Sequence, residues 1–73
     1  MKMFVDLCAA LGFDVSRMDL MDAFTLAGHI IRDKEFLEHR RAGGTIYTLT
    51  PSQRVALRER VVEAAVDVAF VKS

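Results

Sequence analysis

Near the start of the chain, apolar side chains recur at the spacing of one helical face. Intervals of three and four residues place side chains on the same side of an α-helix. Gly12 follows the last of them, and a glycine in that place is typical of a helix end. The chain is therefore predicted to begin with a short helix that buries this face, with the thiol of Cys8 as a small core side chain. The apolar positions are Phe4, Leu7, Cys8 and Leu11.

A second helix is predicted to begin at Ser16. Asp19 follows three residues later, which matches a capping box in which each side chain accepts a backbone N–H of the first turn. Val15 and Leu20 stand where the two residues of a hydrophobic staple belong. We expect the apolar stripe of this helix to face the core. The stripe consists of Leu20, Ala23, Phe24, Ala27, Ile30 and Ile31, with Met18 and Met21 beside it.

The stripe loses its phase after Ile31, which indicates either a bend in the second helix or a new helix that begins at Asp33, and we favour a new short helix capped by Asp33. The first turn of this helix is acidic and its last turn is basic, and both arrangements are favourable with the helix dipole. Gly43 and Gly44 are predicted to end it as a turn, without the Lys-Ser/Thr of a phosphate-binding loop. The acidic residues are Asp33, Glu35 and Glu38, and the basic ones are His39, Arg40 and Arg41.

The last helix has the clearest start in the sequence. Thr50 is a favourable N-cap, Pro51 suits the first helical position, and Gln53 completes a capping box. We expect this helix to run from Pro51 to about Phe70. The preceding residues 45–49 are β-branched and aromatic, which predicts one short extended segment.

The last helix is apolar on two nearly opposite faces, so both must be covered. Wrapping by the other helices is the favoured interpretation, and a partner or homodimer surface is the alternative. Together the patterns predict an all-α fold, a compact bundle of three to four helices in a single domain, residues 1–73. One face contains Val55, Val62, Val66, Ala69 and Phe70, and the other contains Leu57, Val61, Ala64 and Val68.

Composition narrows the classes of function. The chain has 73 residues and one cysteine, so it cannot form an internal disulfide, and a reducing cytoplasm is expected. The longest stretch without a charged residue, 42–53, falls short of the roughly 20 apolar residues that span a membrane. We therefore expect a cytoplasmic protein with no membrane contact.

The candidate reactive groups do not form a recognisable site. His29, His39 and Cys8 lack the spacing of a zinc site, so no metal and no cofactor is predicted. Each histidine is most simply a helix residue, His29 partly buried and His39 beside the helix dipole. The carboxylates of Glu59, Glu63 and Asp67 recur every four residues as a solvated or partner-facing row, with Arg60 expected to relieve their repulsion. We expect a protein that is not an enzyme.

Charge is segregated, although the total is zero. Residues 1–28 carry two basic and four acidic side chains, residues 29–60 carry seven and four, and residues 61–73 carry one and two. The basic middle contains arginines and a tyrosine of the kind that protein hot spots and nucleic-acid patches use. Zero net charge argues against DNA, because phosphate contacts dominate affinity for DNA. The predicted partner-binding residues are Arg40, Arg41, Tyr47, Arg54 and Arg58.

The whole chain resembles a family of small viral regulators. It runs from Met-Lys-Met-Phe-Val-Asp-Leu-Cys-Ala-Ala-Leu-Gly to a helix with Thr-Pro-Ser-Gln-Arg-Val-Ala-Leu-Arg-Glu-Arg and a short tail. In this it is similar to the RNA-polymerase-binding inhibitors and antiterminators of lytic Xanthomonas phages. The resemblance implies a protein of the host bacterial cytoplasm that binds RNA polymerase near the amino end of the β′ subunit, beside the RNA exit channel. It also implies repression of host promoters and, with NusA, read-through of terminators.

Two other functions remain open from the residues alone. A phage inhibitor of another host complex, of the anti-CRISPR type, would use the same kind of surface. A small helix-turn-helix DNA-binding protein would use the segment from Asp33 to Arg41 as its recognition helix, although three carboxylates in that segment oppose DNA.

Overall fold

The structure, a computed structural model, describes residues 2–65 as a bundle of four α-helices. Within these residues there is no strand, which confirms the all-α prediction. Two 3₁₀ helices of three residues each, Val15–Arg17 and Ile46–Thr48, lie in the connections before the second and before the fourth α-helix. The α-helices are α1 (Lys2–Ala10), α2 (Leu20–Arg32), α3 (Lys34–Arg41) and α4 (Pro51–Ala64).

Helix α2 is the centre of the bundle, because it packs against α1, α3 and α4. Cys8 belongs to the core and is fully buried, as predicted. The two 3₁₀ connections also reach the core, through Val15 on one side and Ile46 on the other. The buried cluster consists of Cys8, Leu11, Phe13, Leu26, Ile30, Phe36, Ile46, Leu49, Leu57, Val61 and Ala65.

Glycines end α1 and α3 in the same way, as predicted. Gly12 and Gly43 have positive φ values of 89° and 93°, a backbone conformation that glycine adopts without a steric cost. After α3, the N–H groups of Gly43 and Gly44 donate to the carbonyls of Arg40 and His39, both at 2.9 Å. This double hydrogen bond is the Schellman motif, and it turns the chain sharply away from the helix axis.

The predicted start of α2 at Ser16 is wrong. The carboxylate of Asp14 accepts the backbone N–H of Ser16 at 3.2 Å and also its hydroxyl, which places Ser16 inside a 3₁₀ turn. Helix α2 begins three residues later, where Asp19 accepts the N–H of Asp22 at 2.9 Å. Asp19, the second residue of the expected capping box, is therefore the N-cap itself.

The inward face of α2 also differs from the predicted stripe. Leu26 is fully buried with Ala23, Ala27 and Ile30, whereas Leu20, Phe24 and Ile31 are 49%, 57% and 38% exposed. The ring of Phe24 meets the edge of Phe4 from α1 at 5.4 Å between centroids, at the outer side of the α1–α2 contact. Helix α4 also packs against α2, and the face that is buried contains Leu26.

The predicted extended segment is a 3₁₀ helix instead. The side chains of Thr45 and Thr48 cap each other's backbone N–H groups, which closes a turn where β-branched residues suggested a strand. The start of α4 is confirmed, because Thr50 and Gln53 form the expected capping box with Pro51 in the first turn.

One of the two apolar faces of α4 is buried in the bundle. Leu57 and Val61 are 1% exposed, whereas Val55 from the other face is exposed. Helix α4 ends at Ala64 with Ala65 as its C-cap. The predicted continuation to Phe70 lies outside the described residues.

Candidate functional site

An apolar groove lies between the start of α1 and the connection from α3 to α4. Two neighbouring hollows, of about 210 Å³ and about 390 Å³, share the side chains of Met3, Leu7 and Ile46 as lining. The smaller hollow also contacts Ile31 and Phe36, and Arg40 stands on its edge. The larger hollow is lined in addition by Asp6 and Tyr47. Because the hollows have three lining residues in common, we treat them as one site and call it the α1 groove.

The wall of the α1 groove is fixed by the turn that follows α3. The ring of His39 lies directly over Gly44, in space that a Cβ atom would occupy. Its Nε2 is 3.0 Å from the carbonyl oxygen of Thr45 and 2.8 Å from the hydroxyl of Thr48. A carbonyl oxygen only accepts, so a hydrogen bond from His39 to Thr45 requires a proton on Nε2. His39 thus ties α3 to the second 3₁₀ helix, beyond its predicted place beside the helix dipole.

Tyr47 stands on the rim of the groove with 67% of its surface exposed. Its backbone is held on both sides, since its N–H donates to the Thr45 hydroxyl at 3.2 Å and its carbonyl accepts from Arg54 Nη2 at 3.1 Å. An exposed aromatic ring on a fixed backbone loses little conformational entropy when it is covered by a partner.

The two ends of the groove differ in charge. At the end formed by the smaller hollow, the guanidinium of Arg40 lies 5.9 Å from the centroid of the Phe36 ring, a cation–π contact. No carboxylate lines that hollow among the described residues. At the other end, Asp6 is the charged residue beside Tyr47. The groove is therefore apolar along its length, basic at one end and acidic at the other.

The predicted partner-binding residues fall in three places. Arg40 and Tyr47 lie at the two ends of the α1 groove, and Arg54 supports Tyr47 from behind. Arg58 lies elsewhere, with its guanidinium 4.8 Å from the ring centroid of Phe13. Arg41 is exposed at the end of α3 and does not line either hollow. That these five residues bind a partner stays a prediction.

Sequence reasoning missed the apolar part of the groove. Met3 is 70% exposed and lies one position before the predicted apolar stripe of α1. The helical pattern therefore did not indicate it as a core or binding residue. Ile46 was assigned to an extended segment and is instead buried under the 3₁₀ turn. A large apolar residue just outside a helical stripe, as Met3 is, was the available signal.

The other side of α3 is polar. A hollow of about 530 Å³ lies between α3 and α4. Beside it Arg60 pairs with Asp33 and Glu35, through Nε–Oδ2 and Nη1–Oε2 distances of 2.7 and 2.9 Å. The expectation that Arg60 serves the row of Glu59 and Glu63 is therefore wrong, since its donors turn toward α3; Asp67 lies outside the described residues. The hollow is lined by Glu35, Phe36, Glu38, His39, Leu49, Gln53, Leu57 and Arg60.

The remaining candidate groups are placed as core or surface residues. Burial raises the pKa of the Cys8 thiol to about 11, so the thiol stays protonated at neutral pH. His29 is partly buried in α2. Within residues 2–65 no three side chains of His, Cys, Asp or Glu are grouped so that they could hold a metal ion. In the same residues, no helix has the length and apolar character needed to cross a membrane.

Comparisons of the chain with protein-family models, with curated proteins and with solved structures find no match.

Proposed function

We propose that this protein is a non-enzymatic regulator that acts by binding another protein, and that its partner is the RNA polymerase of a host bacterium. Tyr47 carries the proposal, because it is an exposed aromatic side chain on a doubly held backbone beside an apolar groove. Tyrosine and arginine dominate protein hot spots, and Arg40 stands at the other end of the groove. The sequence resemblance supplies the partner, the β′ subunit, with NusA as a second factor.

A protein partner suits this surface better than DNA does. Apart from Arg40 at one end, the groove contains the carboxylate of Asp6 and apolar side chains, neither of which attracts phosphate. Glu35 and Glu38 stand on α3, the helix that a DNA-binding role would need in the major groove. The proposed effect is therefore a contact between proteins that represses promoters and, with NusA, promotes read-through of terminators.

The direct test is binding of the purified chain to RNA polymerase from Xanthomonas, with and without NusA. We expect Tyr47→Ala to weaken binding by about 30-fold, as the loss of a hot-spot aromatic does. Its free energy of unfolding should stay within about 0.5 kcal/mol of the parent value, because the ring is mostly exposed. Met21→Ala is the matched control, since Met21 is 70% exposed on α2 and does not line the groove.

The parent chain and Met21→Ala should lower transcription from a promoter and, with NusA, raise read-through of a terminator. Tyr47→Ala should have a smaller effect on both. Absence of binding to polymerase in the presence of NusA would refute this function. Capture of a nuclease complex from the host, or salt-resistant, sequence-dependent binding to DNA, would point to the other two functions.

A further inference from the structure

We propose that the α1 groove binds a linear segment of the partner protein whose apolar side chains lie between a carboxylate and a cation. The carboxylate is received by Arg40 at one end, and the cation by Asp6 and Tyr47 at the other. This inference rests on the proposed function only in taking protein contact as the mode of action. It does not depend on which protein is bound.

The size and lining of the groove favour amino-acid side chains over a small-molecule ligand. Taken singly, the hollows of about 210 Å³ and about 390 Å³ lie below or close to the lower end of the range of ligand pockets, roughly 300–1,000 Å³, and each is large enough for one or two side chains. Both are shallow depressions along the surface, and Met3 stands between them with most of its side chain exposed. Methionine adapts its shape to the apolar group placed against it, as in other peptide-binding surfaces.

Charge complementarity decides the polarity of the bound segment. Arg40 lines the smaller hollow, and no carboxylate is among the described residues that line it. A carboxylate of the partner can therefore pair with Arg40 without competing with one from this lining. Its contact with the Phe36 ring holds the guanidinium at that edge. At the opposite end, Asp6 offers a negative charge and Tyr47 an aromatic face, which together attract a lysine or arginine.

The first experiment uses peptides and needs no polymerase. The isotope-labelled full chain is titrated in NMR with a short synthetic peptide that has leucine and phenylalanine at its centre, glutamates at one end and lysines at the other. We expect the amide signals of Ile46 and Tyr47 to shift, and those of Met21 and Phe24 to stay in place. A control peptide with the same centre and lysines at both ends should bind about tenfold more weakly.

Matched variants of the chain locate the contact. Met3→Glu and Met21→Glu change methionines of equal exposure at the second position of a helix, one in the groove and one outside it. Arg40→Glu and Arg41→Glu make the same comparison for neighbouring exposed arginines. We expect Met3→Glu and Arg40→Glu each to weaken peptide binding about tenfold, and the other two variants to leave it unchanged.

The outcomes separate this inference from the proposed function. No shift at Ile46 and Tyr47 at millimolar peptide, or equal loss in both members of a pair, overturns the groove as a peptide site. Retention of polymerase binding by Met3→Glu also overturns it, while the proposed function stands. If the chain binds the peptide selectively but does not bind polymerase, the α1 groove is supported as a peptide site and polymerase is refuted as the partner.

Discussion

The two sides of α3 are built by different means. Toward α4, directed polar contacts hold the helices together, with Arg60 joined to Asp33 and Glu35. Toward α1, apolar side chains form the groove, and the guanidinium of Arg40 at its edge lies over the ring of Phe36. Ion pairs and caps fix the position of a helix, whereas the removal of exposed apolar groups from water by a partner is thermodynamically favourable. One side of α3 thus sets the position of the helix, and the other side leaves a surface for binding.

The polar side depends most on Asp33. Its carboxylate accepts the backbone N–H of Phe36 at 3.0 Å and two donors of Arg60, at 2.7 and 3.0 Å. These contacts, the hydrogen bonds from Arg60 first, lower the pKa of Asp33 below its ordinary value of 3.8. The carboxylate is therefore charged at neutral pH, and its contribution to stability is lost only in acid.

Asp33→Ala should have the largest effect on stability, because it removes the carboxylate that holds the polar side of α3. We expect the free energy of unfolding in urea to fall by about 2 kcal/mol, from the lost cap and the lost charge-assisted bonds. Asp19→Ala is the matched control, since Asp19 caps α2 with the N–H of Asp22 and no arginine contact is part of that cap. It should cost about 1 kcal/mol. Equal losses in the two variants would mean that Arg60 contributes nothing.

The same carboxylate predicts a dependence on pH. A lowered pKa means that the folded state holds its proton less tightly than the unfolded state, so stability is complete above about 3.8 and declines as the pH falls below it. Arg60→Gln should flatten this acid decline, measured as urea midpoints over a pH series. An unchanged slope would show that another group is responsible.

Gly44→Ala tests the turn that both sides share. The new Cβ would meet the ring of His39, which must move away from Thr45 and Thr48. We expect a loss of about 1–2 kcal/mol, together with weaker peptide binding in the α1 groove. In a His39→Ala background the same substitution should cost almost nothing, because the ring is gone. A full cost in that background would place the strain in the backbone.

Arg58→Ala tests whether Arg58, which lies in α4 two residues before Arg60, stabilises the fold or contacts the partner. Loss of the guanidinium over the Phe13 ring should lower the free energy of unfolding by about 0.5–1 kcal/mol. Arg41→Ala, another exposed arginine, should change it by less than about 0.5 kcal/mol. A drop in polymerase affinity beyond this loss of stability would support the prediction that Arg58 contacts the partner.

At neutral pH the smallest effect of ionisation is expected at the buried Cys8, because its thiol is then protonated in both the folded and the unfolded state. The pKa of the folded thiol is raised from 9.0 to about 11, so the folded state keeps a proton that the unfolded state loses. Stability should therefore decline as the pH rises from about 9 toward 11. The difference between the parent and Cys8→Ala, measured by urea unfolding across this range, isolates the thiol. A difference independent of pH would contradict the buried, protonated state.

Local signals in the sequence predicted local structure well. The caps at Asp33 and Thr50 and the stop at Gly43 are decided within a few residues, and all three are confirmed. The prediction for the start of α2 was wrong because the carboxylate of Asp14 accepts the backbone N–H of Ser16, the group that the expected capping box needed. Thr45 and Thr48 favour an extended segment as β-branched residues and a turn as capping residues, and in the structure they cap a 3₁₀ helix.

Contacts between distant residues could not be foreseen in the same way. Arg60 and Asp33 are 27 positions apart, and no periodic pattern links them. For the candidate site, Arg40 and Tyr47 were predicted from charge and residue type. The groove that joins them needs Met3, from the far end of the chain, to pack near Ile46. The place of Met3 just outside the apolar stripe of α1 does not show that it meets Ile46, because that contact depends on how α1 packs against the other helices.

Asp33 is at once the C-cap of α2 and the N-cap of α3, and α4 reaches it through Arg60. These three helices are therefore expected to open together, as one cooperative unit, when amide protons exchange with solvent. Helix α1 is joined to α2 by apolar packing and by the weak bond from the Cys8 thiol to the Ala23 carbonyl. Its amides should exchange sooner, and a segment bound in the groove is expected to slow their exchange.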